Sequence, residues 1–347
     1  MANKASNAIL AKARAMYGHR LTPEDSEALA ACRTLPEVTT YLKNHTVYAQ
    51  TLAQVNPAFA QRNRLELELH HAYFQKQASL CRYEMSIGQD IYRLFILQAD
   101  IQQLLTCLRY LDSGRPGDYL FVLPSFLQKH TQLDLYALAS VTDFDSLLTA
   151  LKGTPYYDCL QPLAVSKDDA YRLTAVAAPA LNALVYDEEL NLLKHGSSGM
   201  KEYYQRWYDL HMLPIIWRTK RMLGAHEEEA RKRLRLGVTA LPAKTWDKLL
   251  QAPDGDTFVE ELMSTRYGKE LQSIEWTRLD QAAQQLQFNW CKKNLRFSTD
   301  PVVVLLCYLE LARNEIINIT HIIEGVRYGL PKEQILHTLI GVDADAV

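Results

Sequence analysis

The chain has 347 residues, is 48% hydrophobic and 22% charged, and carries a formal net charge of −2. That length supports two or three cores, and the near-neutral charge excludes a global field that would recruit nucleic acid or anionic lipid. With 14 Gly and 13 Pro the composition suits helices better than a turn-rich β protein, and no run reaches the ~18 apolar residues of a membrane span.

Residues 5–18 read as a first helix ending near Gly18. The N-terminal basic residues Lys4, Lys12, Arg14 and Arg20 lack a following apolar core, so no secretory signal is expected. Thr22-Pro23-Glu24-Asp25 and Thr34-Leu35-Pro36-Glu37 are helix starts, with Thr as N-cap and acids in the first turn. Residues 64–84 carry Leu65, Leu69, Tyr73, Leu80 and Tyr83 on one face. Residues 89–112 carry two seven-residue series, Leu94-Ile101-Leu108 and Leu97-Leu104-Leu111, which predict one long helix. Ser113-Gly114-Arg115-Pro116-Gly117 ends it.

Thr142-Asp143-Phe144-Asp145 starts the next short helix. Long helices are expected over 168–195 and 200–236, with a break at Gly196–Gly199 and a kink at Pro214. Leu241-Pro242 and Asp254-Gly255-Asp256 precede further short helices, and 276–297 reads as a long one. Asp300-Pro301 caps a helix whose apolar face is Leu305, Leu309, Ala312, Ile316, Ile319 and Ile323. Gly325 and Gly329 close it, and Pro331-Lys332-Glu333 starts a last helix through Ile340. No strand is expected: the fold class is all-α.

One pattern recurs. Thr46-Val47-Tyr48 with Leu52, Thr154-Pro155-Tyr156 with Leu160, and Thr265-Arg266-Tyr267 with Leu271 place their tyrosines 108 and 111 residues apart. Each Thr follows a leucine, Leu42, Leu151 or Leu262, by three or four residues. Repetition at one pitch argues for three copies of one helical unit, divided as 1–128, 129–239 and 240–347, with Thr46, Tyr48, Thr154, Tyr156, Thr265 and Tyr267 as their joints. Asp100-Ile101 to Leu104 in the first unit resembles Glu315-Ile316 to Ile319 in the third. The second unit, around 209–218, holds Pro214 and is expected to lack a matching acid-apolar step.

Several residues could carry chemistry. Asp168-Asp169 resembles half of an aspartate-rich Mg²⁺ motif of all-α isoprenoid enzymes, but Arg172 stands where the third acid belongs; a solvated helix start is the plainer reading. His70 and His71 are adjacent on a helix and point about 100° apart, so they cannot share a metal. No phosphate-loop, zinc or nucleophile-elbow motif occurs. Six cysteines (Cys32, Cys81, Cys107, Cys159, Cys291, Cys307) lie singly and read as reduced, buried thiols. The basic run Arg218–Arg235 includes Arg231, Arg233 and Arg235, and Glu227, Glu228 and Glu229 precede Arg231, Lys232 and Arg233 by four. That spacing describes a salt-bridged exposed helix or a contact face for an acidic partner, with no nucleic acid needed. Glu310, Arg313, Asn314, Glu315 and Asn318 interrupt a very apolar helix, where lone charges are costly. Glu310–Asn314 and Asn314–Asn318 are i,i+4 pairs that either hold repeats in register or face a partner.

The run from Tyr308-Leu309-Glu310 through Asn314-Glu315, Asn318-Ile319, Ile322-Ile323, Gly325, Arg327 and Gly329-Leu330-Pro331 resembles the C-terminal signature of one family. That family comprises the C-type subunits of archaeal and bacterial V/A-type rotary ATPases, related to the d-type subunits of eukaryotic V-ATPases. The opening, Asn7-Ala8, Lys12-Ala13-Arg14 and Arg20-Leu21-Thr22, is similar as well. The family's acid-x-x-Asn step reads Asp100 to Gln103 in the first unit, with Gln for Asn. The resemblance implies an all-α, funnel-shaped protein of three similar helical domains in pseudo-threefold arrangement. Such a protein sits peripherally on the cytoplasmic face of a proteolipid ring, receives the central-stalk subunits in its socket, and could meet the membrane stator subunit. It transmits torque for H⁺ or Na⁺ transport, with no active site, metal or cofactor. Glu310, Arg313, Glu315, Asn318, Arg327, Arg231, Arg233 and Arg235 are its candidate interface residues. The competing readings are a Mg²⁺-dependent isoprenoid enzyme and a generic helical-repeat scaffold.

Overall fold

The structure, a computed structural model, describes residues 4–81, 89–119, 128–165, 173–223, 231, 238–271 and 278–342. The protein is all-α, with no strand among the described residues. The helices are α1 (Lys4–Gly18), α2 (Pro23–Ala30), α3 (Leu35–His45), α4 (Arg62–Cys81), α5 (Gln89–Asp112), α6 (Leu135–Ala139), α7 (Phe144–Ala150) and α8 (Pro155–Leu160). They continue with α9 (Leu173–His195), α10 (Ser198–Leu223), α11 (Ala243–Gln251), α12 (Gly255–Met263), α13 (Gly268–Leu271), α14 (Leu279–Phe297), α15 (Pro301–Arg327) and α16 (Lys332–Leu336). Two compact units result, one of residues 1–73 and 196–347, the other of 74–195.

In the first unit α15 is the central element. Asp300 accepts from the backbone N–H of Val302 and Val303 at its N-terminus, and Pro301 occupies the first turn, where its missing N–H costs nothing. Leu305, Leu309, Ala312, Ile316, Ile319 and Ile323 are all buried, as the period predicts. Ile316, Ile319 and Ile323 pack into one core with Leu29, Val38, Leu42, Leu52, Leu65 and Leu69. Each such side chain contributes about 1.5–3 kcal/mol on removal from water. The first residues thus pack on the last long helix. Arg14 ties α1 to the end of α14, donating from Nε to Leu295 O (2.9 Å) and from Nη2 to Ser298 O (2.6 Å).

The second unit is built on the pairing of α5 with α9. Leu94, Ile101, Leu104 and Leu108 are buried, while Leu97 and Leu111 are half-buried, so one of the two seven-residue series faces the core fully. Asp112, at the end of α5, caps α9 by accepting from Leu173 N (2.8 Å) and Thr174 N (3.0 Å).

The short helices start where their caps dictate: Thr22, Thr34, Asp134, Asp143 and Asp254 each accept a first-turn N–H. Some boundaries differ from expectation. Gly325 lies inside α15, where a Cβ would meet Ile335 Cγ1 at 2.6 Å, and Gly329 at φ 66° makes the stop. The last helix ends at Leu336, short of Ile340, because Asn318 takes both the N–H and the carbonyl of Ile340. Residues 168–172, with Asp168 and Asp169, and most of 224–236, with Arg233 and Arg235, lie outside the described residues.

Candidate functional site

The three tyrosines are buried to 1% exposure or less, and each donates its hydroxyl to a carboxylate on a long helix. Tyr156 Oη donates to Asp100 Oδ2 on α5 (2.8 Å), Tyr267 Oη to Asp209 Oδ2 on α10 (2.9 Å), and Tyr48 Oη to Glu315 Oε1 on α15 (2.5 Å). The carboxylates are spaced 109 and 106 residues apart, matching the tyrosine pitch. Each pairs with the tyrosine that follows it in sequence, except that the last carboxylate takes the first tyrosine.

The same carboxylates also hold the segment that starts a short helix. Asp100 accepts from Thr131 Oγ1 (2.5 Å) and Gln132 N (3.1 Å). Asp209 accepts from Ala240 N (3.2 Å) and Leu241 N (3.1 Å), and Glu315 from Leu21 N (2.8 Å). The anchored residues adjoin equivalent steps, Leu133-Asp134, Leu241-Pro242 and Leu21-Thr22, each opening α6, α11 or α2. The threonines have a shared role as well. Thr46, Thr154 and Thr265 donate from Oγ1 to the carbonyls of Leu42 (2.6 Å), Leu151 (2.7 Å) and Leu262 (2.7 Å). This bond turns the chain sharply after a short helix and aims the tyrosine back at the long one.

Burial explains the electrostatics. Desolvation pushes the tyrosine hydroxyls well above their ordinary range, and the facing carboxylate adds to the shift, so they remain donors. Desolvation also raises Asp100, opposed by its bonds from Thr131, Gln132 and Tyr156. Asp209 is raised to about 6 by desolvation, against the bonds from Tyr267, Leu241 and Ala240 and the nearby Arg266 charge. Each carboxylate thus ties a long helix to a tyrosine and to the start of a short helix. Each hydrogen bond to a buried carboxylate contributes about 1.5–3 kcal/mol net.

The expectation that the middle repeat lacks a matching acid-apolar step is corrected by Asp209, which bonds as Asp100 and Glu315 do. Pro214 draws attention away from it, and Asp209-Leu210-His211-Met212 lacks the aliphatic run that follows Asp100 and Glu315. Its spacing from those two acids was the available signal.

A second polar group lies on the α10, α14 and α15 surface of the first unit. Glu310, itself buried, accepts from Arg313 Nη2 (2.8 Å), and Arg218 Nη2 pairs with Asp280 Oδ1 at 3.1 Å. His211 stacks on Trp207 with ring centroids 5.1 Å apart. Its imidazole is lowered first by desolvation and then by the Arg313 and Arg218 charges, with Asp280 and Glu310 opposing. Among the described residues no cluster of His, Cys, Asp or Glu is arranged to hold a metal ion. Cys32, Cys107, Cys159, Cys291 and Cys307 are free thiols.

Residues 9–338, nearly the whole chain, match the family described as ATP synthase (C/AC39) subunit. The chain belongs to that family. No curated protein sequence matches it. The resemblance carried by the Tyr308–Pro331 run therefore holds over nearly the whole chain.

In this ATP synthase subunit family member the remaining candidate residues divide by role. Glu315 belongs to a joint. Asn318 pins the C-terminal turn through Ile340 and does not pair with Asn314, which instead donates to the Glu310 carbonyl (3.0 Å). Arg327 pairs with Glu324 (3.6 Å) and lies over the Tyr328 ring. Arg231 is exposed and pairs with Asp247 at 2.8 Å. Of these, Glu310 and Arg313 join the polar group around His211, while Arg231 and Arg327 lie in separate exposed pairs.

Proposed function

We propose that this chain is a non-catalytic adaptor of a rotary V/A-type ATPase, the socket that couples the central-stalk subunits to the membrane proteolipid ring during H⁺ or Na⁺ transport. The observation that carries this reading is the family match over residues 9–338. Three joints of one design support it, since three alike helical units suit a part that must bridge a ring and an asymmetric shaft. We read the repeats as units near 1–128, 129–239 and 240–347 in a pseudo-threefold funnel. Packed helices locked by buried charge-assisted bonds resist deformation and can pass torque. The polar group of His211, Arg218, Asp280, Glu310 and Arg313 would serve as part of the socket wall. Charged side chains grip a partner with orientation and without a large apolar patch, so assembly stays reversible.

No helix of the described residues is long and apolar enough to cross a membrane, so attachment at the cytoplasmic face would be peripheral, through the ring. The test is affinity purification of the tagged chain from native membranes. Stalk, proteolipid and nucleotide-binding subunits are expected to co-purify. Recovery of the chain with none of them overturns the reading.

A further inference from the structure

The three joints differ at one atom. Asp100 and Glu315 each accept bonds on both carboxylate oxygens. Asp209 takes all three of its donors, Tyr267 Oη, Leu241 N and Ala240 N, on Oδ2. Its Oδ1 is buried and has no hydrogen-bond partner. A buried anionic oxygen without a donor is among the costlier arrangements in a protein interior, and a carboxyl so placed lowers the cost by taking a proton.

Burial favours the neutral form of Asp209, against its donors and the Arg266 charge. On its own helix Arg206 lies one turn away, but its guanidinium is engaged with Glu270 (Nη2 to Oε2, 3.0 Å), and its Nε is also without a partner. From the Tyr267 segment, Arg266 and Tyr267 face the site, with Glu270 on α13. The 238–242 segment that supplies two donors has no ionisable residue. From α14 the neighbouring ionisable group is the buried Cys291, which lies within range of Arg206. What opposes protonation is the set of three donors on Oδ2, Tyr267 first, together with the Arg266 charge.

We propose that the middle joint is a proton-binding device: on acidification Asp209 takes a proton from solvent onto Oδ1 and keeps its three donors on Oδ2. One O–H bond forms and none in the joint breaks. The joint therefore persists through the change, but its three bonds pass from a charged acceptor to a neutral one and weaken. At the same time the cost of the buried charge disappears. The other two joints cannot do this without turning an O–H toward a donor they already hold. The proposal stands whether or not the chain works in a rotary complex.

The raised position of Asp209, about 6, fixes the sign. The folded protein binds this proton more tightly than the unfolded chain, whose aspartates titrate near ~3.9. The contribution to stability is full below that value and is lost as the pH rises through about 6.

The test uses Asp209→Asn, which keeps a carbonyl oxygen for the three donors and sets an amide where the protonated Oδ1 would be. Glu315→Gln is the control, because its amide nitrogen must face either Leu21 N–H or Tyr48 Oη. Thermal unfolding of the full chain from pH 5 to 8 should show the advantage of Asp209→Asn over the wild type growing by about 2–4 °C between pH 5 and pH 7.5. Glu315→Gln should fall below the wild type throughout. Separately, ¹³C NMR of aspartate-labelled wild-type protein should show one carboxyl titrating well above the ordinary range and missing in Asp209→Asn. A difference between Asp209→Asn and wild type that is flat with pH overturns the proposal. So does failure of Asp209→Asn to fold at pH 7.5, or an Asp209 carboxyl that titrates at or below the ordinary aspartate value.

Discussion

The joint at Asp100 and the joint at Asp209 use the same parts, a fully buried aspartate on a long helix, a tyrosine hydroxyl and the backbone ahead of a short helix. They distribute them differently. Asp100 has the Thr131 hydroxyl to fill its second oxygen, while at Asp209 the corresponding Thr239 donates its hydroxyl to Leu241 O (3.1 Å) and Oδ1 is left over. The turn after the tyrosine differs as well. Tyr157 follows Tyr156, whereas Gly268 follows Tyr267, and a Cβ there would collide with the Met263 carbonyl oxygen. The difference teaches that the repeated element is the bond between helix and tyrosine, and that the atoms completing it are free to vary. One variant is saturated and the other retains an acceptor that responds to protons.

This contrast can be broken first at Asp100. Asp100→Ala removes the acceptor of Thr131, Gln132 and Tyr156 together, stranding buried donors, and should cost about 3–5 kcal/mol. Chemical denaturation monitored by circular dichroism reads the loss, which should exceed that of any other single substitution at the joints.

Gly268→Ala sharpens the contrast from the other side. The added methyl meets backbone, which cannot swing away as a flexible side chain would, so a cost of about 2–3 kcal/mol is expected, measured in the same way. The same change in the opposite direction at the other joint, Tyr157→Gly, would show whether the close approach belongs to the middle joint alone.

Much of this design was legible in the sequence, and the reasons are physical. The threonines and tyrosines stood out because each does one job of fixed geometry. Thr46, Thr154 and Thr265 must reach back to a leucine carbonyl, and the tyrosines must span from a turn to a long helix. The helix starts were legible because caps are local chemistry, as at Thr22, Asp143 and Asp300. The carboxylate partners were harder to see. An acid in an apolar helix has no local partner to announce its role, and Asp209 finds its donors at 240, 241 and 267 through tertiary structure. Asn318 misled for the same reason: its i,i+4 neighbour Asn314 was closer in sequence than Ile340, the residue it holds.

Smaller effects follow for the hydroxyls alone. Tyr156→Phe leaves Asp100 with two donors on two oxygens, and Tyr267→Phe leaves Asp209 with two donors on one. Each should cost about 1–2 kcal/mol. The Tyr267 variant should also steepen the pH dependence, since one of the bonds that hold Asp209 down is gone; thermal unfolding at pH 5 and 7.5 checks this. At the small end, Arg231→Glu breaks an exposed pair with Asp247 and should change stability by less than about 0.5 kcal/mol. If that variant nevertheless lowers recovery of the complex from membranes, Arg231 is a contact residue; if assembly is intact, that face is free of the partner.

The most direct measurement concerns the joint whose halves lie farthest apart in sequence. A double-mutant cycle on Tyr48→Phe and Glu315→Gln, read by equilibrium unfolding, isolates the bond between the first segment and α15. If tyrosine and carboxylate act as one unit in each repeat, the two changes together should cost at least about 1 kcal/mol less than the sum of the singles. Additivity to within about 0.3–0.5 kcal/mol would contradict the account and reduce the recurring tyrosines to ordinary core residues.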